Sequence, residues 1–270
     1  MKRYDIGFMG MGAANGLLLL ELERKNLLPA LNVLILEPDA KLKNDKTYCF
    51  WADAQHEIRT QLKDVMFHQW DTIDTVDGLE SLEDHHYYMV ESIALYNKVK
   101  SVAQSYDNVT WVRSAVDGVK AQQEGVVVSS GSHSWEVKQL FDSRPPTIKE
   151  PMGPLVLQSF VGWRVKLQED YWTPNQMTLM DFGIPQNGFT QFMYVLPTDS
   201  KEALVEMTRF GSEQLPHELA SNHLRNYLLS RGLSIEILHE ERGTIPMTQY
   251  AEIKNQDARI ISTGARAGKI

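Results

Sequence analysis

The residues whose types and spacing most clearly indicate chemistry lie near the start of the chain. Gly10 and Gly12 separate a short apolar run from a Leu-rich stretch that begins at Ala13, and a second apolar run ends in Glu37. Glycines at a strand-to-helix turn let the backbone approach a pyrophosphate, and the free N–H groups of the following helix attract the phosphates. A carboxylate at the end of the next strand can accept hydrogen bonds from ribose hydroxyls. The pattern predicts a dinucleotide site formed by these four residues.

The third position of this glycine fingerprint departs from the usual sequence. Asn15 stands where a third glycine is usual, and Gly16 follows it. A Gly-rich turn in an ordinary α/β domain is the alternative interpretation. The turn lies between a predicted strand and a predicted helix, ahead of a strand that ends in an acid, and this context favours the dinucleotide site. Asn15 is therefore included among the predicted cofactor-binding residues.

Two acids in the second half of the chain are candidate catalytic residues. Glu206 lies in the apolar run Leu204-Val205-Glu206-Met207, and Asp181 ends another apolar run. A carboxyl group in apolar surroundings has a raised pKa and can act as a neutral proton donor. Because strands alternate their faces, the other interpretation is that Glu206 points to solvent. For Asp181, a turn or capping role is the equal alternative to a hydrogen-bonding role in a site.

The elements that position these residues predict an α/β fold, a Rossmann-like FAD/NAD(P)-binding domain with a β-rich substrate domain. Apolar periodicity predicts a βαβ unit at the front of the chain and a helix over 92–106. We interpret 44–51 as a polar loop that runs into an aromatic cluster, and 71–84 as an acidic, turn-like segment. Prolines between 145 and 154 indicate a linker. The predicted domains are therefore 1–150, to which 251–270 returns, and a substrate-binding sheet over 151–250.

Composition excludes several classes of protein. The chain has 270 residues and a net charge of −8, which argues against nucleic acid as a partner because phosphate binding needs a basic surface. No run approaches the ~20 apolar residues of a membrane span. The single cysteine, Cys49, suits a cytoplasmic protein and is interpreted as a packing residue. His85-His86 has no second ligand cluster at matching spacing, so no metal site is predicted.

Taken in order, the motifs of the chain resemble the flavin-dependent lycopene cyclases of the bacterial β-cyclase type. The resemblance spans essentially the whole chain. Asn15-Gly16 resembles that family's own version of the glycine loop. The family continues past Gly268 into a Thr-Gly-Tyr loop and a helical region that this chain does not contain. The matching motifs are Gly10-Met11-Gly12-Ala13-Ala14-Asn15-Gly16-Leu17, Asn44-Asp45-Lys46-Thr47-Tyr48-Cys49-Phe50-Trp51, His68-Gln69-Trp70, Asp142-Ser143-Arg144, Gln158-Ser159-Phe160-Val161-Gly162-Trp163, Met180-Asp181, Phe192-Met193-Tyr194-Val195-Leu196-Pro197, Leu204-Val205-Glu206-Met207-Thr208, Gly243-Thr244-Ile245-Pro246-Met247 and Gly264-Ala265-Arg266-Ala267-Gly268.

The resemblance implies the cofactor, the substrate and further site residues. The cofactor would be FAD in its reduced form, with NADPH as the reductant, and Asp142, Gly264 and Gly268 would join the cofactor site. The substrate would be lycopene or another carotenoid, collected from a membrane surface by peripheral contact. Glu206 matches the essential Glu of the family's Leu-x-Glu-x-Thr motif, and Asp181 is carried over as a second catalytic candidate.

The implied reaction closes the linear ends of lycopene into β-ionone rings without net oxidation or reduction. A proton adds to a terminal double bond, the cation closes the ring, and a proton leaves. Reduced flavin is an alternative proton donor or cation stabiliser, with Glu206 supporting it. Trp51 and Trp163 are candidate cation-stabilising rings, although simple packing is the commoner role of a tryptophan.

Two rival functions remain open at this point. A flavin-dependent oxidoreductase or monooxygenase on another apolar substrate would use the same βαβ unit and β-rich domain. A non-catalytic, truncated remnant that binds the dinucleotide weakly or not at all is the second rival.

Overall fold

The computed structural model describes residues 2–145, 155–247 and 257–268, which divide into two compact units. The first unit contains residues 2–45, 91–145 and 257–268, and the second contains 46–90 and 155–247. Residues 46–90, which we predicted to lie in the first domain, therefore pack with the second unit. Most of the predicted linker, from Pro146 to Pro154, and residues 251–256 lie outside the described residues.

The first unit is built on a seven-stranded sheet with a parallel centre. In the order β8-β2-β1-β11-β10-β9, strands β8, β2, β1 and β11 run parallel, whereas β10 and β9 are antiparallel additions; β17 pairs parallel with β11. The elements of this unit are β1 (Lys2–Met9), α1 (Ala13–Arg24), β2 (Val33–Leu36), α3 (Ser92–Gln104), β8 (Val109–Val112), β9 (Gly118–Ala121), β10 (Val126–Ser130), β11 (His133–Asp142) and β17 (Ile260–Ser262).

The apolar runs of the sequence account for this arrangement. All four residues of β2 are buried, as expected of a central parallel strand covered on both faces. Helix α1 contacts α3, and a Cβ atom on Gly16 would lie 3.1 Å from Cγ2 of Val99. Gly16 therefore lets the two helices approach closely, which positions the start of α1 at the carboxyl end of β1.

The second unit contains a seven-stranded and a three-stranded sheet. The large sheet has the order β16-β12-β15-β14-β13-β5-β6 and is antiparallel except for β13 and β5, and the small sheet has the order β3-β7-β4. The elements of this unit are β3 (Thr47–Asp53), α2 (Glu57–Leu62), β4 (Met66–Trp70), β5 (Thr72–Thr75), β6 (Gly78–Ser81), β7 (His85–Glu91), β12 (Val156–Leu167), β13 (Gln176–Asp181), β14 (Thr190–Pro197), β15 (Glu202–Gly211), α4 (His217–Leu229) and β16 (Ile235–Met247).

The two faces of the large sheet are covered by different elements. The odd-numbered residues of β15, such as Val205 and Met207, share a core with residues of α4. Leu204, on the even-numbered face, packs instead with Trp70 and Met89 of the small sheet. This alternation decides which side chains of β15 can meet, because successive residues of a strand point to opposite faces.

The structure corrects three predicted elements. The predicted loop 44–51 contains most of strand β3, whose aromatic residues give it strand propensity. The segment 71–84 is a hairpin of β5 and β6, because the turn at Gly78, with a φ of +120°, lets two polar strands pair. We predicted a strand over 234–241 followed by a separate Gly-Thr-Ile-Pro-Met segment at 243–247, and the two form one strand, β16. In the part of the chain that the structure describes, no helix is long and apolar enough to cross a bilayer.

Candidate functional site

The glycine turn lies between β1 and α1, as predicted. Gly10 has a φ of +77°, and a Cβ atom there would lie 2.7 Å from Oγ of Ser143, so only glycine fits. Gly12 differs, because a Cβ atom on it would meet no atom within 4 Å. No side chain caps α1 and its first turn carries no acid, so its partial positive charge is left for an anion. The open backbone at Gly12 and Ala13 therefore fits the approach of a pyrophosphate.

Glu37 lies at the end of β2, but its carboxylate already has protein partners. Oε2 accepts a hydrogen bond from Met11 N at 2.6 Å, and Oε1 accepts one from Asp39 N at 2.8 Å. The side chain is almost fully buried, and Lys41 Nζ lies 3.8 Å from Oε2. Glu37 thus fixes the conformation of the glycine turn, and ribose binding would use the lone pairs that remain on its two oxygens.

Asn15 joins three segments of the first unit, which explains why asparagine replaces the usual glycine. The side chain is fully buried; its Nδ2 donates to Gly10 O at 2.8 Å and lies 3.1 Å from Ser143 Oγ. Its Oδ1 accepts a hydrogen bond from Thr263 Oγ1 at 2.8 Å. The amide therefore ties the glycine turn to the ends of β11 and β17, a structural role that a third glycine could not fulfil.

The other predicted cofactor residues lie at the carboxyl ends of β11 and β17. Asp142 is buried and forms ion pairs with Arg144 at 2.9 Å and with Arg266 at 3.0 Å. Gly264 has a φ of +56°, and a Cβ atom on it would lie 3.2 Å from Cβ of Ala14 in α1. Gly268 ends the short turn that follows, with a φ of +67°. These residues lie on the same side of the first unit as the glycine turn, and their binding role stays a prediction.

Glu206 lies on the face of β15 that meets the small sheet, and not on a solvent face. Cys49, Tyr87 and Tyr194 pack in the cluster that includes its neighbour Leu204. Thr208 Oγ1 donates a hydrogen bond to Glu206 Oε1 at 2.7 Å. Part of the Glu206 side chain is accessible, but protein atoms closely surround its carboxyl group. We refer to Glu206, Thr208, Cys49, Tyr87 and Tyr194 as the Glu206 cluster.

Burial dominates the electrostatics of the Glu206 cluster. Loss of hydration raises the pKa of Glu206 to about 8; the hydrogen bond from Thr208 lowers it, and the nearby charge of Glu241 raises it. Burial also raises the pKa of Cys49 to about 12 and of Tyr194 to about 12, with the charge of Glu206 adding to both shifts. A carboxyl with a pKa near 8 is mostly protonated at neutral pH, so Glu206 has the properties of a neutral acid.

The structure does not bring Asp181 or Trp163 to this cluster. Asp181 Oδ2 accepts a hydrogen bond from Tyr227 O–H at 2.8 Å and pairs with Arg231 at 3.1 Å, which connects the end of β13 to α4. Trp163 packs in the core shared with α4 and donates from Nε1 to Glu240 Oε2 at 3.0 Å. Both therefore lie on the face of the sheet opposite Glu206. Trp51 is half exposed, with its ring centroid 4.7 Å from that of Tyr87.

Sequence reasoning missed four residues around Glu206. Thr208 could have been found, because residues two apart in a strand share a face. Glu241, Thr47 and Gly162 come from distant parts of the chain and reach the site only through strand pairing, for which the sequence carried no signal.

Comparison with known sequences identifies the family. The family profile described as "Lycopene cyclase protein" matches residues 5–270. The chain belongs to this family. It is 22% identical to a lycopene beta-cyclase of Pantoea ananas over 98% of this chain and 68% of that protein. It is 24% identical to a lycopene beta-cyclase of Pseudescherichia vulneris over 93% of this chain and 63% of that protein. The family member described here thus spans about two-thirds of the length of these relatives.

Solved structures with the same fold include several oxidative and reductive enzymes. A geranylgeranyl bacteriochlorophyll reductase-like protein from Thermoplasma acidophilum has a TM-score of 0.66 at 11% identity, covering 99% of this chain and 72% of that one. NikD, an amino acid oxidase of nikkomycin biosynthesis, has a TM-score of 0.63 at 10% identity, covering 98% and 89%. These similarities confirm the predicted fold class, an α/β fold with a Rossmann-like domain and a β-rich second domain.

Proposed function

We propose that this lycopene cyclase family member closes the linear ends of lycopene, or of another carotenoid, into β-ionone rings. The observation that carries the proposal is the position of the Glu206 carboxyl, on the face of β15 that packs against apolar and aromatic side chains, where burial raises its pKa to about 8. An alkene is a weak base, so its protonation requires an acid that is kept neutral and away from water. Glu206 would donate its proton to a terminal double bond. Ring closure and loss of a proton from the ring would then leave the product with the mass of the substrate.

FAD is the cofactor that the first unit would hold. The backbone at Gly12 and Ala13 would bind the pyrophosphate at the start of α1, and Glu37 would accept hydrogen bonds from the ribose. When bound in its reduced form, with NADPH as reductant, FAD would supply an electron-rich ring that stabilises the cation or acts as a rival proton donor. The roles of Asp142, Gly264 and Gly268 in this site belong to the same proposal.

The acid role of Glu206 is favoured over that of Asp181. The Asp181 carboxylate bonds Tyr227, Arg231 and the backbone N–H of Gly183. These contacts hold Asp181 on the face of the sheet that α4 covers, away from the Glu206 cluster. Lycopene dissolves in membranes, so a cytoplasmic cyclase would need to contact the membrane surface to reach it. We include this peripheral contact in the proposal on the chemistry of the substrate alone.

Expression in lycopene-accumulating cells, followed by carotenoid analysis, tests the proposal. We expect cyclic products with the mass of lycopene, and none from Glu206→Gln. A change of mass by hydrogen or oxygen would instead indicate an oxidoreductase or monooxygenase. The matched control is Glu202→Gln on the same strand, because Glu202 pairs with Lys166 at the surface and should be dispensable.

Flavin retention is tested separately from ring formation. Gly12→Ala should fold normally, because its methyl group would enter open space, but it should reduce the flavin absorbance of the purified protein. Gly10→Ala should lose both flavin and stability. Absence of flavin from the unmodified protein, together with absence of ring formation, would support the non-catalytic rival.

A further inference from the structure

One row of residues crosses four adjacent strands of the large sheet at Glu206. Strand register pairs Glu241 of β16 with Gly162 of β12, Gly162 with Glu206 of β15, and Glu206 with Tyr194 of β14. Residues that are directly paired across a sheet point to the same face. Glu241 and Glu206 are therefore on one face, two strands apart, at a backbone separation of about 10 Å.

Gly162 adds no side chain of its own between the two glutamates, and Leu204 borders the same space, with its Cδ1 3.1 Å from the position of a Cβ atom on residue 162. A Cβ atom on residue 162 would lie 3.3 Å from Cγ of Glu241 and 3.6 Å from Cβ of Glu206. Its φ is not in the left-handed region, so backbone conformation does not require glycine here. What glycine provides is room at this position, since a side chain on residue 162 would contact Leu204, Glu241 and Glu206.

Thr47 holds the second carboxyl group. Its Oγ1 donates a hydrogen bond to Glu241 Oε2 at 2.7 Å, as Thr208 does to Glu206. A hydroxyl donor stabilises the ionised form of a carboxylate. The two acids thus have similar hydroxyl partners, and the charges of both act on Cys49 of the Glu206 cluster. Glu206 lies two residues along β15 from Leu204, which packs among the apolar and aromatic side chains of that cluster, and burial raises the pKa of Glu206.

We propose that Glu241 is a positioning residue for Glu206: its carboxylate, held by Thr47 and facing Glu206 across Gly162, keeps the Glu206 carboxyl protonated. Two carboxylates facing each other in a poorly hydrated site cannot both ionise without repulsion, so one of them retains its proton. The arrangement selects Glu206 as the neutral member. The catalytic meaning of this inference rests on the proposed function, because a proton donor must be protonated before the substrate binds.

The other charged and titratable groups described on this face do not supply a negative charge beside Glu206 in the way that Glu241 does. Burial raises the pKa values of Cys49, Tyr87 and Tyr194, so these groups are neutral at physiological pH. His68 of β4 lies beside Trp70 with Nε2 2.7 Å from Pro174 O. Arg164 lies two residues along β12 from Gly162, opposite His239, with its guanidinium over the ring of Phe67. Glu241 is thus the acid that the register places in line with Glu206.

The experiment is a titration of the Glu206 carboxyl by NMR of protein labelled with ¹³C at the glutamate carboxyl carbons. The signal is assigned by its loss in Glu206→Gln. We expect the Glu241→Gln variant to lower the pKa of Glu206 by about one unit, the shift produced by a unit charge about 10 Å away in partly buried protein. Glu241→Asp keeps the charge and should retain most of the effect.

Glu240→Gln is the matched control. It removes the same charge one residue away, but Glu240 faces the other side of the sheet, where it bonds His217 and Trp163. It should leave the pKa of Glu206 unchanged. If Glu241→Gln leaves that pKa unchanged, or if Glu240→Gln shifts it equally, the proposal is wrong.

A second measurement connects the interaction of Glu206 with Glu241 to ring formation. In Glu241→Gln, the decline of cyclase activity at high pH should move to lower pH by the same unit, with little change at pH 5.5. The titration does not depend on cyclase activity, so the two proposals fail separately. If Glu206→Gln still forms rings while Glu241→Gln shifts the titration, the acid assignment is wrong and the coupling of the two carboxyls stands.

Discussion

Glu206 should make the fold less stable as pH rises, and Glu206→Gln should remove that effect. Burial raises the pKa of this carboxyl from its ordinary value of 4.5 to about 8. The folded protein therefore binds a proton that the unfolded chain releases between these two pH values. The stabilisation by that proton is complete below pH 4.5 and is lost progressively as pH rises to 8. Glutamine keeps the shape and the oxygen that accepts from Thr208, but it has no charge to bury.

The size of the expected stability change follows from the pKa shift of Glu206. At 1.36 kcal/mol per pKa unit, the ionised carboxyl costs about 3 to 5 kcal/mol at pH 8 and above, and less than about 1 kcal/mol at pH 5. Glu206→Gln should therefore raise the free energy of unfolding by about 3 kcal/mol or more at pH 8, and by less than about 1 kcal/mol at pH 5. In a chain of this size, that gain corresponds to a melting temperature higher by roughly 6 °C.

The assay is urea unfolding followed by tryptophan fluorescence, at several pH values between 5 and 8.5. Trp70 and Trp163 are buried in the second unit, so their emission reports its unfolding. Glu202→Gln is the control, because Glu202 pairs with Lys166 at the surface and its loss should bring no gain at pH 8. Parallel stability curves for the unmodified protein and Glu206→Gln across this range would refute the reasoning.

Three further variants separate the roles of individual residues. Thr208→Val removes the hydrogen bond that favours the ionised form of Glu206, so an NMR titration should show the pKa of Glu206 rising further. Asn15→Ala should destabilise the first unit by about 2 kcal/mol, because it leaves partly buried partners such as Thr263 without this hydrogen bond; urea unfolding would measure the loss. Asp181→Ala should cost about 1 kcal/mol by the same assay and leave the Glu206 titration unchanged, and a shifted titration would contradict its placement on the α4 face.

The sequence was most informative where function depends on local spacing. The glycine turn, the helix that follows and the acid at the end of β2 lie within a single βαβ unit, so the pattern of residues predicted their arrangement. The conformation of Gly10 and the open backbone at Gly12 agree with that prediction. The role of Asn15 could not be predicted, because its partner Thr263 comes from the far end of the chain.

The second site depends on strand register, which the sequence does not encode locally. Alternation along β15 places Glu206 and Thr208 on one face, but it cannot tell which face is buried. That choice is made by the small sheet, whose strand β3 we interpreted as a loop and whose residues we placed in the first domain. Local sequence also could not exclude Asp181 and Trp163 as site residues. Nothing near them in sequence shows that α4 covers their side of the sheet.

The energetic cost of Glu206 is itself an argument for function. A buried carboxyl that destabilises the folded state at neutral pH contributes little that glutamine could not supply to packing or to the hydrogen bond from Thr208. Glu241, facing it over Gly162, increases that cost instead of relieving it, since a basic residue at the same register position would have formed an ion pair. Local features that oppose folding are characteristic of active sites, where the chemistry requires them. Proton donation to a weakly basic substrate away from water is a chemistry that requires a buried carboxyl group such as that of Glu206.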